Sequence, residues 1–193
     1  NTDVVGSTAT INVNGGTLAV AGDIVDGAGL STISLSSGGT LNLQPSGDAT
    51  AGNISVDNLV ISDGTITNYD TLSVSNVALV GPATQFTVYA GQTIAPSGEG
   101  VVGPLDVVGD LQLRGTTTMD INKTGSILSA DLLTVSGTAD LGGTLNVTLS
   151  GDAALTAGDS FVLLNLPTVL NAFTTVNLPA LDSGLTWVNN LLV

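Results

Sequence analysis

The feature that most constrains this chain is a two-residue hydrophobic alternation that itself recurs every twenty-odd positions. Apolar residues come as apolar-x-apolar pairs: Ile11/Val13, Leu18/Val20, Ile33/Leu35, Leu41/Leu43, Leu59/Ile61, Leu72/Val74, Phe86/Val88, Leu105/Val107, Leu111/Leu113, Met119/Ile121, Leu133/Val135 and Leu145/Val147. Side chains alternate between the two faces of a strand with this period, and runs this short fit brief strands rather than helices. The pairs fall into two series, one starting at 18, 41, 66, 86, 111 and 133, the other at 11, 33, 59, 79, 105 and 127, with closely similar steps of 20–26 residues.

The words around the pairs repeat too. Gly15-Gly16-Thr17-Leu18-Ala19-Val20, Gly38-Gly39-Thr40-Leu41-Asn42-Leu43 and Gly142-Gly143-Thr144-Leu145-Asn146-Val147 are variants of one word, and Asp63-Gly64-Thr65-Ile66 is a relaxed copy. Two or three short strands per step, bounded by Gly, Asn, Asp and Ser turns, match one coil of a stacked solenoid. The expected fold is all-β: a single-stranded parallel β-helix with coils of 20–26 residues. Its coils would stack at about 4.8 Å with Leu, Val and Ile inward. An antiparallel β-sandwich is the alternative, since short strands at regular spacing also describe one. Residues 1–125 read as solenoid coils and 126–193 as terminal coils with a C-terminal cap, in one continuous structural domain. Segments 157–164 and 173–181 read as longer apolar strands, and a short turn near Asp152 to Leu155 is the best helical candidate.

Composition removes whole classes of function. The 193 residues include 16 Asp+Glu against 2 Lys+Arg, a formal net charge of −14, and neither Cys nor His. Phosphate backbones and anionic lipid surfaces are held by clustered Lys and Arg, so nucleic-acid binding is excluded. Without thiol or imidazole there is no Ser-His-Asp chemistry and no zinc, haem or iron–sulfur ligation. The most apolar run, Phe161 to Leu166, is interrupted by Asn165 and followed by Pro167; no membrane insertion by an apolar helix is expected. Asn at position 1 reads as a processed product or a fragment, compatible with a removed secretory signal.

From Leu133 onward the chain resembles the C-terminal part of the autotransporter-associated β-strand repeat proteins of bacterial surfaces. The matching residues are Leu133-Thr134-Val135-Ser136-Gly137-Thr138-Ala139, Leu141-Gly142-Gly143-Thr144-Leu145-Asn146-Val147, Ala157-Gly158-Asp159-Ser160-Phe161, and Phe173 through Leu181 followed by Gly184-Leu185-Thr186-Trp187. The resemblance implies a secreted, long parallel β-helix serving as passenger, adhesin or surface fibre, and it implies no catalytic residues.

Carboxylates, hydroxyls, Tyr69, Tyr89, Arg114 and Lys123 are the remaining chemistry. Glycoside hydrolysis needs two convergent carboxylates, and a glycan site would gather Asp or Glu around an aromatic such as Tyr69, Tyr89 or Trp187 in a groove. The acids instead stand singly at turns: Asp23, Asp26, Asp48, Asp63, Asp110, Asp152 and Asp159. The expectation is no enzyme, with no catalytic, cofactor-binding or metal-ligating residues. Asp beside Gly reads as local turn chemistry, while Gly22-Asp23 and Asp26-Gly27 leave room for weak Ca²⁺ binding. Gly98-Glu99-Gly100-Val101-Val102-Gly103 matches a dinucleotide fingerprint in letters only, because neither a strand before it nor a helix after it is expected and Pro104 follows. The Thr words at Thr8-Ala9-Thr10, Thr65-Ile66-Thr67 and Thr116-Thr117-Thr118 skip coils, so no repeated Thr face for ice is expected. Arg114 and Lys123 read as surface residues, able to bridge to Asp on neighbouring coils.

Together these readings point to an extracellular structural protein, secreted or cell-surface, forming a β-solenoid subunit of a fibre, filament or matrix. Its expected partner is itself, in a head-to-tail homopolymer assembling through terminal strands. The expected interface is the apolar tail, Leu185, Trp187, Val188, Leu191, Leu192 and Val193, where a strand could be donated to a neighbour's open edge. The alternative is a passenger or adhesin fragment that binds surface carbohydrate.

Overall fold

The computed structural model describes residues 8–44, 51–81 and 85–190, and those residues contain strands but no helix. Within each coil the chain passes through three walls. The first holds β1 (Thr8–Asn14), β3 (Leu30–Ser36), the second half of β5 (Gly52–Ile61), the second half of β7 (Tyr69–Leu79), β10 (Pro104–Val108), β14 (Leu132–Val135) and β17 (Leu164–Asn165). The second has two hydrogen-bonded blocks. One is β2 (Thr17–Ala19), β4 (Gly39–Asn42) and β6 (Gly64–Thr67); the other is β8 (Gln85–Val88), β11 (Asp110–Leu113), β15 (Thr138–Asp140) and β18 (Thr168–Leu170). The third holds the first halves of β5 and β7, then β9 (Thr93–Pro96), β12 (Thr116–Thr124), β16 (Thr144–Gly151) and β19 (Thr175–Asn177).

Strands of successive coils pair in parallel; the one antiparallel pair among the described residues joins β12 to β13 (Ile127–Ala130), a hairpin added to a coil. This is a parallel β-helix, not a sandwich, whose neighbouring strands would pair mostly antiparallel. Inward side chains form ranks: Ile54, Leu72, Ile94, Thr117, Leu145 and Val176 stack along the third wall. Ile54, Leu72, Ile94 and Leu145 are fully buried, and each such side chain removed from water contributes about 2 kcal/mol.

Register corrects the sequence reading in several places. The rank Ile11–Ile33–Leu59 is as expected, but Leu59 stacks on Val77 and Val77 on Val107, two positions away from the anticipated 79 and 105. Leu111 stacks on Ala139, not Leu133, and Ile127 sits 71% exposed on the hairpin. The third-wall rank advances by 18, 22, 23, 28 and 31 residues, a wider range than 20–26, because later coils carry the hairpin and longer loops. The repeated Gly-Gly-Thr-Leu word opens second-wall strands β2 and β4 but a third-wall strand at β16: it encodes a corner followed by an inward pair, which any wall can use. Of the segments read as long strands, 157–164 reaches only the first residue of β17 and 173–181 contains only the three-residue β19, while β18 falls between them. No helix forms at 152–155, where Asp152 instead accepts the Gly125 N–H at 3.0 Å.

That last bond is one of a series. Asp23 accepts from Asn53 N–H at 2.7 Å, Asp57 from Ser31 at 2.8 Å, Asp110 from Thr138 at 2.7 Å and Asp131 from Gly103 at 2.8 Å, each across coils. Corner aspartates therefore tie one coil to the next; of the Asp-Gly turns read as local, Asp26 does bond its neighbour Gly27 at 2.7 Å. Gly39 shows why corners need glycine: a Cβ there would collide with the carbonyl of Val13 in the preceding coil.

Candidate functional site

The C-terminal end is built by loops rather than long strands. Leu155, Leu163 and Phe173 are buried, and Phe161, Leu166, Leu178, Leu181 and Trp187 pack partly buried around them. Beside them lies a half-open cavity of about 670 Å³ whose lining is mixed: Phe161, Leu178, Leu181 and Trp187 meet Asp159 and Ser160 there. The Trp187 indole N–H donates to the Pro179 carbonyl at 2.9 Å, which fixes the ring at the wall. Of the anticipated assembly residues, Leu185 and Trp187 are half-buried and line the cavity, as does Val188, which is 83% exposed. Leu191, Leu192 and Val193 lie outside the described residues, as does Asp48. Residues 185–190 form no strand.

Lys123 fastens this end to the coils. It is 7% exposed, and its ammonium donates to Asp159 Oδ2 at 2.7 Å and Thr156 Oγ1 at 3.0 Å. The ammonium holds the Asp159 carboxyl below the ordinary range. Lys123 is thus not a surface residue. The signal was legible: it falls in phase with Thr117, Met119 and Ile121, the inward positions of β12. Arg114 pairs with Asp140 on the next coil; hydrogen bonds from Asn171, Gln112 and Arg114 hold that carboxyl at about 2.

A second concavity, about 550 Å³, lies on the outer face of the third wall. Its floor is ordered by the parallel register: Thr118, Asn146 and Asn177 stand in one outward rank, Asp120 and Thr148 in the next. The Glu99–Gly100 loop forms one side. Gly100 N–H donates to Asp120 Oδ2 at 2.6 Å, and the Thr148 hydroxyl donates to Asp120 Oδ1, so Asp120 pins the loop over the wall. Behind it Asp131, 1% exposed, accepts the Asp120 N–H at 2.7 Å; burial raises its carboxyl to about 6 against the pull of its two backbone donors. Asp131 too stands in phase with the inward Leu133 and Val135, so alternation marks it as buried. Asp120 carries no such signal, because it stands at an outward position that the Gly100 loop and Thr148 cover.

The aromatics do not gather here. Tyr69 is 2% exposed in the core, its hydroxyl without a partner and its ionisation pushed up by burial, and Tyr89 is exposed outside the groove. The Gly98 to Gly103 match is a loop between β9 and β10: a strand does precede it, contrary to the sequence reading, because the coil places β9 there, but a strand rather than a helix follows. Among the described residues no three Asp or Glu are placed to hold a metal ion. The three Thr-x-Thr words fall on β1, β6 and β12, three different walls. A search of protein-family models, curated proteins and solved structures finds no match to this chain.

Proposed function

We propose that this chain is a structural β-solenoid of an extracellular or cell-surface fibre, as its resemblance to autotransporter-associated β-strand repeat proteins suggests, and that it extends by end-to-end contact. The observation that supports the reading is the contrast between the first described coil and the coils behind it. Ile11 and Leu18 occupy the same inward ranks as Ile33 and Leu41, which are fully buried, yet Ile11 is only half-buried and Leu18 is 39% exposed. Among the described residues β1 pairs with β3 alone and has no strand on its other edge. The opposite end presents the half-open cavity around Trp187, with Leu178, Leu181 and Leu185 as its apolar side. A contact between two unlike ends does not use itself up, so it propagates as a filament, and that edge of β1 supplies the backbone groups for strand addition.

Negative-stain microscopy of purified protein over a dilution series, with sedimentation velocity, tests this. Uniform filaments are expected, and deletion of Leu185 to Val193 abolishes them while the β-sheet circular dichroism remains. Isolated short rods at all concentrations, or filaments that survive the deletion, refute assembly through this tail.

A further inference from the structure

In the outer groove of the third wall several polar groups are left with unused hydrogen-bonding capacity. Thr118 is 8% exposed, lines the groove and finds no hydrogen-bond partner in the protein. Asn177 donates its amide to Asn146 Oδ1 at 2.7 Å, and the Asn177 carbonyl oxygen and the Asn146 amide hydrogens make no hydrogen bond within the protein. Glu99, on the loop side, is exposed and makes no hydrogen bond within the protein. The set therefore offers an amide donor, an amide acceptor, a carboxylate acceptor and a hydroxyl, spaced by the coil repeat.

We propose that this groove binds a linear, neutral polysaccharide. Vicinal sugar hydroxyls both donate and accept, and they match a mixed row of amide, carboxylate and hydroxyl groups. The rank Thr118, Asn146, Asn177 spans two coil steps, about 10 Å, room for about two sugar units in a concavity within the usual size range of ligand sites. A net charge of −14 repels acidic glycans. No aromatic lines the groove, so recognition rests on hydrogen bonds rather than stacking, and affinity for one short oligosaccharide is in the range of about 1 mM. Asp120 is a positioning residue: with both oxygens engaged by Gly100 and Thr148, it holds the Glu99 side of the groove in place. This inference does not depend on end-to-end assembly.

Isothermal titration of the full chain with cellohexaose, laminarihexaose and N-acetylchitohexaose tests it, with an oligogalacturonate of the same length as the acidic arm. Saturable binding of at least one neutral hexasaccharide and none of the acidic one is expected. Thr118→Val, which preserves shape, weakens binding about 5-fold, and the paired change Asn146→Ala with Asn177→Ala weakens it at least about 10-fold, as loss of one to two hydrogen bonds predicts. Asn58→Ala, in an amide ladder on the first wall, leaves it unchanged. Circular dichroism and melting of each variant confirm that it is folded. Failure of all neutral probes to bind, equal binding of the acidic one, or insensitivity to both groove variants overturns the proposal.

Discussion

Thr117 offers a direct test of how the interior is built. Its side chain stands in an inward rank between Ile94 and Leu145, 1% exposed, and its hydroxyl has no hydrogen-bond partner. A buried hydroxyl without a partner carries a desolvation cost of about 1–3 kcal/mol. Thr117→Val replaces that hydroxyl with a methyl of nearly the same volume, so no cavity opens and no rotamer is forced. The added hydrocarbon contributes up to about 0.8 kcal/mol. The expected result is a more stable protein, by about 2 kcal/mol, and for a chain of this size a rise in Tm of about 4–8 °C. Thr117→Ser is the counterpart: it keeps the hydroxyl and loses the methyl, and falls by about 1 kcal/mol. Thermal and urea unfolding followed by circular dichroism measure both, with an unchanged urea m value showing that the unfolding unit is the same. A Thr117→Val protein that melts at or below the parent temperature refutes the reasoning, since the hydroxyl would then have a partner in the core.

Further outcomes follow from other contacts. Gly39→Ala pushes a Cβ into the Val13 carbonyl of the preceding coil and destabilises by about 3 kcal/mol, whereas Gly38→Ala meets open space and costs only the positive φ of 72°, about 1 kcal/mol; urea midpoints separate the two. For the Lys123–Asp159 pair, Asp159→Ala lowers Tm further than Lys123→Met, because it strands a buried ammonium while methionine simply fills the space. Asp159 has a depressed folded pKa, so the pair's contribution is present above the unfolded carboxyl value and disappears as pH falls through the folded one. Asp131 has the opposite sign: with its carboxyl raised to about 6, its contribution is complete below the unfolded value and lost as pH rises through 6. Between about pH 4.5 and 7 the parent protein therefore loses on the order of 2 kcal/mol relative to Asp131→Asn, a difference that parallel urea titrations at the two pH values read directly.

Parity explains how much of this was legible beforehand. Alternation identifies which side chains point inward, and it does so at Ile11, Ile33, Leu59, Leu111 and Leu145, all of which face the core. It equally marks Asp131, and Lys123, which its charge had assigned to the surface. Alternation is blind, however, to a register slip of two, which leaves every side chain on its original face. That is why Val77 and Val107, rather than Leu79 and Leu105, share the rank with Leu59.

The groove was less accessible still. Thr118, Asn146 and Asn177 lie in separate coils, at sequence separations of 28 and 31 that no regular step predicts. Asp120, at an outward position, is covered by contacts from the Gly100 loop and from Thr148 in the next coil.

From the sequence alone come the strand class, the inward faces, the stacking of coils and the chemistry that the chain lacks, because each depends on local period or on composition. The tertiary structure decided coil lengths, the wall on which each repeated word falls, the inter-coil role of the aspartates and the grouping of polar side chains in one groove. Those are set by which hydrogen-bond register lets each coil bury its apolar pairs against its neighbours, a comparison between segments that no single segment contains.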